Sequence, residues 1–155
     1  MIDQLFSDDR RPLVGDEARL RKAIELLYFG YRAFTAPPDC ILAERGLGRV
    51  HHRILYFVGR NPKISVNALF GVLGVSKQAL NAPLRQLVEM GLIAADTAAH
   101  DRRVRQLQLS ADGEALEARL TGAQMVQLEA AFRQAGVGAE AGWLAVMECL
   151  ADRGI

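Results

Sequence analysis

Residues 61–110 read NPKISVNALFGVLGVSKQALNAPLRQLVEMGLIAADTAAHDRRVRQLQLS. After the Asn61-Pro62 turn, Ile64 is expected to form one short strand. Ser65 is placed to cap a helix whose Val66, Leu69, Phe70 and Leu73 face inward. A tight Leu73-Gly74-Val75-Ser76 turn follows, and Ser76 caps a second helix with Leu80, Leu84, Leu87 and Val88 on its buried side. That helix ends at Met90-Gly91, where glycine takes the left-handed position just past the last turn. Two strand-like runs, Leu92–Asp96 and Val104–Leu109, then flank a loop with the basic tip His100-Asp101-Arg102-Arg103. Helix, turn, helix and basic hairpin are the parts of a winged helix-turn-helix, an architecture that reads DNA.

In that geometry the second helix enters the major groove. Its exposed early positions are Ser76, Lys77, Gln78 and Asn81, with Arg85 a turn later. Glutamine and asparagine pair bidentately with adenine, and arginine with guanine. The hairpin loop offers His100, Arg102 and Arg103, and an arginine at such a tip fits a minor groove. Asp101 is expected to orient a neighbouring arginine through a charge-assisted bond. Pro83 falls inside the reading helix, where it removes the bond to the Ala79 carbonyl at a cost of about 3 kcal/mol. The leucine stripe at 80, 84 and 87 runs through it without a change of phase, which predicts a bend and not a break.

Upstream, residues 16–35 predict a strong helix. Leu20, Ile24, Leu27, Tyr31 and Phe34 form a stripe widened by Leu26, Tyr28 and Phe29, broad enough for either a core or a dimer interface. Pro37-Pro38 is expected to end it, with Asp39 capping a short helix to Arg45 and Cys40 in the first turn of that helix as a small filler. Arg49–Gly59 reads as the next helix, buried through Val50, Ile54, Phe57 and Val58. His51 and His52 point about 100° apart on it, too divergent to grip one metal, and are taken for polar surface or a phosphate contact. Downstream, Ser110 opens a long helix to about Ala135, ended by Gly136 and Gly138, and a last helix runs from Ala139 to about Asp152 with Trp143, Val146, Met147 and Leu150. Tyr28, Tyr31, Phe34 and Trp143 are candidates for a ligand pocket or for plain core.

The chain is therefore expected to be mainly α with a small β-hairpin wing. Residues 1–15 form an N-terminal arm, 47–110 a winged helix-turn-helix DNA-binding domain, and 16–46 with 111–155 a helical dimerisation region built from the N- and C-terminal helices.

Composition agrees with this division. The chain has 155 residues, half of them apolar, enough for one good core or two small ones. Its net charge is only +1, but nine Lys/Arg and three Asp/Glu lie between Arg49 and Arg105, whereas the flanks hold ten basic and fifteen acidic residues. A basic middle between acidic ends is what a phosphate-facing module with non-contacting flanks requires. Cys40 and Cys149 lie far apart without a CxxC partner, which excludes a disulfide scaffold or zinc ribbon. There is no signal-length apolar run and no window of membrane-spanning character, so a cytoplasmic setting is expected. No nucleophile–base pair, paired carboxylates or phosphate-cradling glycine loop is placed for catalysis, and no cofactor or metal is expected. The rival from another class is a winged-helix protein-interaction module that does not bind DNA, consistent with the weak net charge.

The order of elements resembles the MarR family of bacterial transcriptional regulators. The similarity spans about residues 16–152. It is carried by Ile64-Ser65-Val66 to Leu73-Gly74-Val75-Ser76, by Leu87-Val88-Glu89-Met90-Gly91-Leu92-Ile93, and by Asp101-Arg102-Arg103 followed by Leu107-Gln108-Leu109-Ser110-Ala111-Asp112-Gly113. The resemblance implies a homodimer joined by N- and C-terminal helices. Its reading helices would lie in successive major grooves of double-stranded DNA and its wings in minor grooves. It also implies control by a small, often aromatic or phenolic, effector bound between the dimer region and the reading lobe. The reading role then falls on Ser76 to Arg85 and the wing-tip role on Asp101 to Arg103. Ala82, and Ala94-Ala95 in the first wing strand, stand where the family often has basic residues, which implies fewer phosphate contacts.

Overall fold

Two serine hydroxyls start the two central helices. Ser65 Oγ accepts from the Ala68 N–H at 3.1 Å and Ser76 Oγ from the Ala79 N–H at 3.2 Å. Each satisfies one of the amide donors that a helix leaves unpaired at its beginning. In the computed structural model, which describes residues 14–152, these caps open α3 (Val66–Leu73) and α4 (Lys77–Glu89). Gly74, at φ +61°, closes α3 in the left-handed conformation that only glycine adopts at little cost. The remaining elements are α1 (Val14–Ala43), α2 (Arg49–Arg60), β1 (Ile64–Ser65), β2 (Ile93–Thr97), β3 (Arg105–Leu109), α5 (Ala111–Ala135) and α6 (Ala139–Ala151). The predicted N-terminal arm lies almost wholly outside the described residues.

The sheet is antiparallel with β3 in the middle. Ile64 sits opposite Leu107 on one side and Ala95 opposite Leu107 on the other. This register turns Leu107 and Leu109 into the core and leaves Gln108 outside. Helix α2 is the hub: it packs against α3, α4, α5 and β3, and its Ile54, Leu55 and Val58 are buried. Leu69, Leu80, Leu87, Leu92, Leu116 and Leu120 close around them. The first turns of α5 therefore share one core with α2, α3, α4 and the sheet.

By internal contacts the chain separates into two units, residues 1–34 and 35–155. In the first, the described residues are helical and largely exposed, including Leu20, Ile24, Leu26, Leu27, Tyr28, Phe29 and Tyr31. In the second, α6 likewise exposes Trp143, Leu144, Val146 and Leu150.

Four sequence expectations are corrected. Pro37-Pro38 does not end the first helix, which continues to Ala43. Both prolines lack a helical N–H donor, but Pro38 and Leu42 are fully buried, and packing outweighs intrinsic propensity. Asp39 accordingly caps no helix. It receives a bidentate Arg49 guanidinium instead, with Nη2 at 2.8 Å and Nε at 3.0 Å from Oδ2, which ties the last turns of α1 to the first turn of α2. Cys40, exposed in those same last turns, lies near a helix C-terminus and not in a first turn. Finally, His51 and His52 are buried and not surface residues. A hub helix packed on several sides buries a wide arc, so two neighbours 100° apart both fall inside it.

Pro83 leaves α4 continuous from Lys77 to Glu89, as the unbroken leucine stripe predicts. At the far end of this segment, Ser110 Oγ donates to the Gly91 carbonyl at 2.6 Å and accepts from the Gly113 N–H at 3.0 Å. One hydroxyl thus caps α5 and fastens it to the end of α4.

Candidate nucleic-acid interface

Burying Leu80, Leu84 and Leu87 on one side of α4 turns positions 78, 81 and 85 away from the core, while Lys77 is left exposed by its place at the start of the helix. Lys77, Gln78, Asn81 and Arg85 are all exposed, as is Ser76 at the cap. Arg85 approaches Glu89 at 3.8 Å, an exposed pair one turn apart that is weak enough to yield to another anion.

The wing turns between β2 and β3. Its last rung is the bond from the Ala98 N–H to the Val104 carbonyl at 2.8 Å, with Ala98 buried below. Beyond it, Asp101 Oδ1 accepts from the Arg103 backbone N–H at 2.9 Å and lies 3.4 Å from Arg103 Nε. Asp101 thus sets the direction in which Arg103 leaves the turn. The Arg103 side chain is 93% exposed, and His100 and Arg102 are exposed beside it.

Between α4 and the wing runs an open cleft of about 620 Å³. It brings together Asn81 and Arg85 from α4 and Arg103 from the wing. Ser76, Lys77, Gln78, His100 and Arg102 lie outside its lining. Three further polar residues complete it: Ser65, the cap of α3, Asn67 in the first turn of that helix, and Arg105 on β3. None of the three was nominated for this site from the sequence. Arg105 has the same strand parity as Leu107 and Leu109 but sits at the end of the strand, past the edge of the core. That parity was the available signal. Three guanidinium groups line the cleft and no carboxylate does, so its chemistry suits an anion.

The remaining candidates are placed as follows. Tyr28 and Tyr31 are exposed and Phe34 is half-buried in the first unit, where the Arg32 guanidinium lies 5.9 Å from the centre of the Tyr28 ring. Trp143, 41% exposed, meets Phe132 edge to face at 5.6 Å. Among the described residues no cluster of His, Cys, Asp or Glu could hold a metal ion, and no helix is long and apolar enough to cross a membrane.

Comparison with known proteins agrees with this geometry. A family model described as the MarR family matches residues 45–104, from the α1–α2 corner to the wing. PetP of Rhodobacter capsulatus, an HTH-type transcriptional regulator, is 45% identical over 136 residues, spanning 88% of this chain and 82% of PetP. The chain belongs to the MarR family. Solved structures of MarR-type regulators share its fold. The MarR family transcription regulator SP03579 superposes with a TM-score of 0.75 at 20% identity, over 92% of this chain and 94% of that one. NadR, solved in complex with 4-hydroxyphenylacetate, gives 0.68 at 21% identity, over 81% and 87%. As a MarR-family member the protein is a transcriptional regulator with a winged-helix DNA-binding domain, and not an enzyme.

Proposed function

We propose that the protein is a homodimeric repressor of a near-palindromic operator. The observation that carries this reading is the cleft between α4 and the wing, where Asn81, Arg85, Arg103 and Arg105 converge. If α4 lies in a major groove and the wing in the next minor groove, the sugar–phosphate strand dividing them runs along that cleft. Arg85, Arg103 and Arg105 would then neutralise phosphates, with Lys77 and Arg102 beyond the cleft adding charge. Gln78 and Asn81 would read base edges, Ser76 would contact the backbone at the helix start, and His100 would flank the tip. The apolar side chains exposed on α1 and on α6 support a dimer joined through the terminal helices. Two reading helices would then sit one turn of DNA apart, roughly 34 Å.

The release signal is proposed to be a small aromatic acid of the class that NadR holds, with Trp143, exposed on α6, as its contact. Trp143 is the only tryptophan, so binding should change the intrinsic fluorescence, and an unchanged spectrum through millimolar ligand counts against this signal.

The deciding experiment selects duplexes from random DNA with the purified protein. Binding of the selected and a random duplex is then measured from low to moderate salt. A selected palindrome whose affinity falls steeply with salt supports the proposal. Binding indifferent to salt and sequence points to a protein-interaction module.

A further inference from the structure

We propose that His51 is a positioning residue for the reading helix. This rests on the DNA-reading role proposed above, but it starts from a different place, the α1–α2 corner. Gly48 is the N-cap residue of α2, and its backbone N–H donates to His51 Nδ1 at 2.9 Å. A ring nitrogen that accepts carries no proton, so the neutral imidazole holds its single hydrogen on Nε2. His51 Nε2 lies 2.9 Å from Gln86 Oε1 on α4 and is therefore the donor. One imidazole, 8% exposed, thus bridges the start of the hub helix and the reading helix with one acceptor and one donor in fixed order. Gln86 directly follows Arg85 on α4. The Asp39–Arg49 pair joins the last turns of α1 to the same corner.

Three variants separate this role from plain support of the core. His51→Gln keeps one acceptor and one donor, His51→Phe keeps the ring volume and neither bond, and Gln86→Met removes the partner oxygen. Each is titrated with the selected operator duplex and with a random duplex of equal length. Losing the bridge should weaken operator binding about tenfold in His51→Phe and in Gln86→Met. Random-duplex affinity, set by phosphate contacts, should stay within about twofold. The double variant His51→Phe/Gln86→Met should bind as His51→Phe does, because both changes break one link. His51→Gln should stay within about threefold of the parent.

Parent-like operator binding by His51→Phe overturns the proposal. So does an equal loss on both duplexes, or an additive double variant. A parent chain that binds neither duplex refutes the DNA-reading function itself. The bridge is then judged by nitrogen-15 spectra of the His51 ring: a proton on Nε2 whose signal moves in Gln86→Met supports the link, and a proton on Nδ1 refutes it.

Discussion

Adding one methyl group at Gly113 should cost at least about 3 kcal/mol, because the new Cβ would lie 2.0 Å from the Leu92 carbonyl oxygen, which is backbone and has nowhere to go. Urea unfolding of Gly113→Ala checks this, and a loss under 1 kcal/mol would show that α5 slides. Gly113 was visible in the sequence as part of a motif, but its reason, a helix start pressed against the backbone just before β2, needed the packing. The two histidines were harder still. Burial lowers the His52 pKa, opposed by the nearby Glu117 and Asp39 carboxylates, while Arg53 adds to the lowering. The folded chain therefore resists a proton that the unfolded chain accepts once the pH drops below the ordinary value of 6.5. Stability should be constant above that point and decline as the pH falls through it. A series of melting temperatures between pH 7.5 and 5 should show the decline in the parent and a flatter profile in His52→Gln. Adjacent histidines on one helix carry no sequence signal of burial, since a polar ring reads as surface until its partners, here Gln86 and Thr121, are known.

The elements themselves were largely legible, since caps and periodicity are local chemistry. Ser65, Ser76 and Ser110 were each placed correctly because a serine before an apolar run has few other uses. Ser110→Ala should cost about 1–2 kcal/mol, since one hydroxyl supplies both the α5 cap and the tie to Gly91. A midpoint shift in urea without a change in slope would match that mechanism. Pro83 poses the opposite case. The helix tolerates it, so Pro83→Ala should stabilise the fold by about 1–3 kcal/mol through the restored bond to Ala79. An unchanged melting temperature would mean that the bond does not form. The length of α1 was illegible for a physical reason: the prolines argue for a stop, and only the burial of Pro38 and Leu42 overrules them.

At the scale of the whole molecule, the apolar residues exposed along α1 give the proposed assembly its test. Ile24 is 68% exposed, and Ile24→Asp should leave the protomer folded while driving it to a monomer in light scattering. Operator affinity should then fall by at least about 100-fold, because each half-site must be found separately. A dimeric Ile24→Asp protein would place the interface elsewhere. The basic lobe could be located from the sequence because charge distribution survives folding, whereas the cleft beside α4 could not, since it joins residues 65–67, 81–88 and 95–107 through the sheet register. That register has one more consequence. Strand β3 is gripped on both flanks at Gln106 and Leu107, while residues 99–103 project past the final rung as a cantilever. Whatever replaces that fingertip inherits its aim from the strand and leaves the core alone, so the DNA contact proposed for the wing can drift, or be engineered, at little expense to the scaffold.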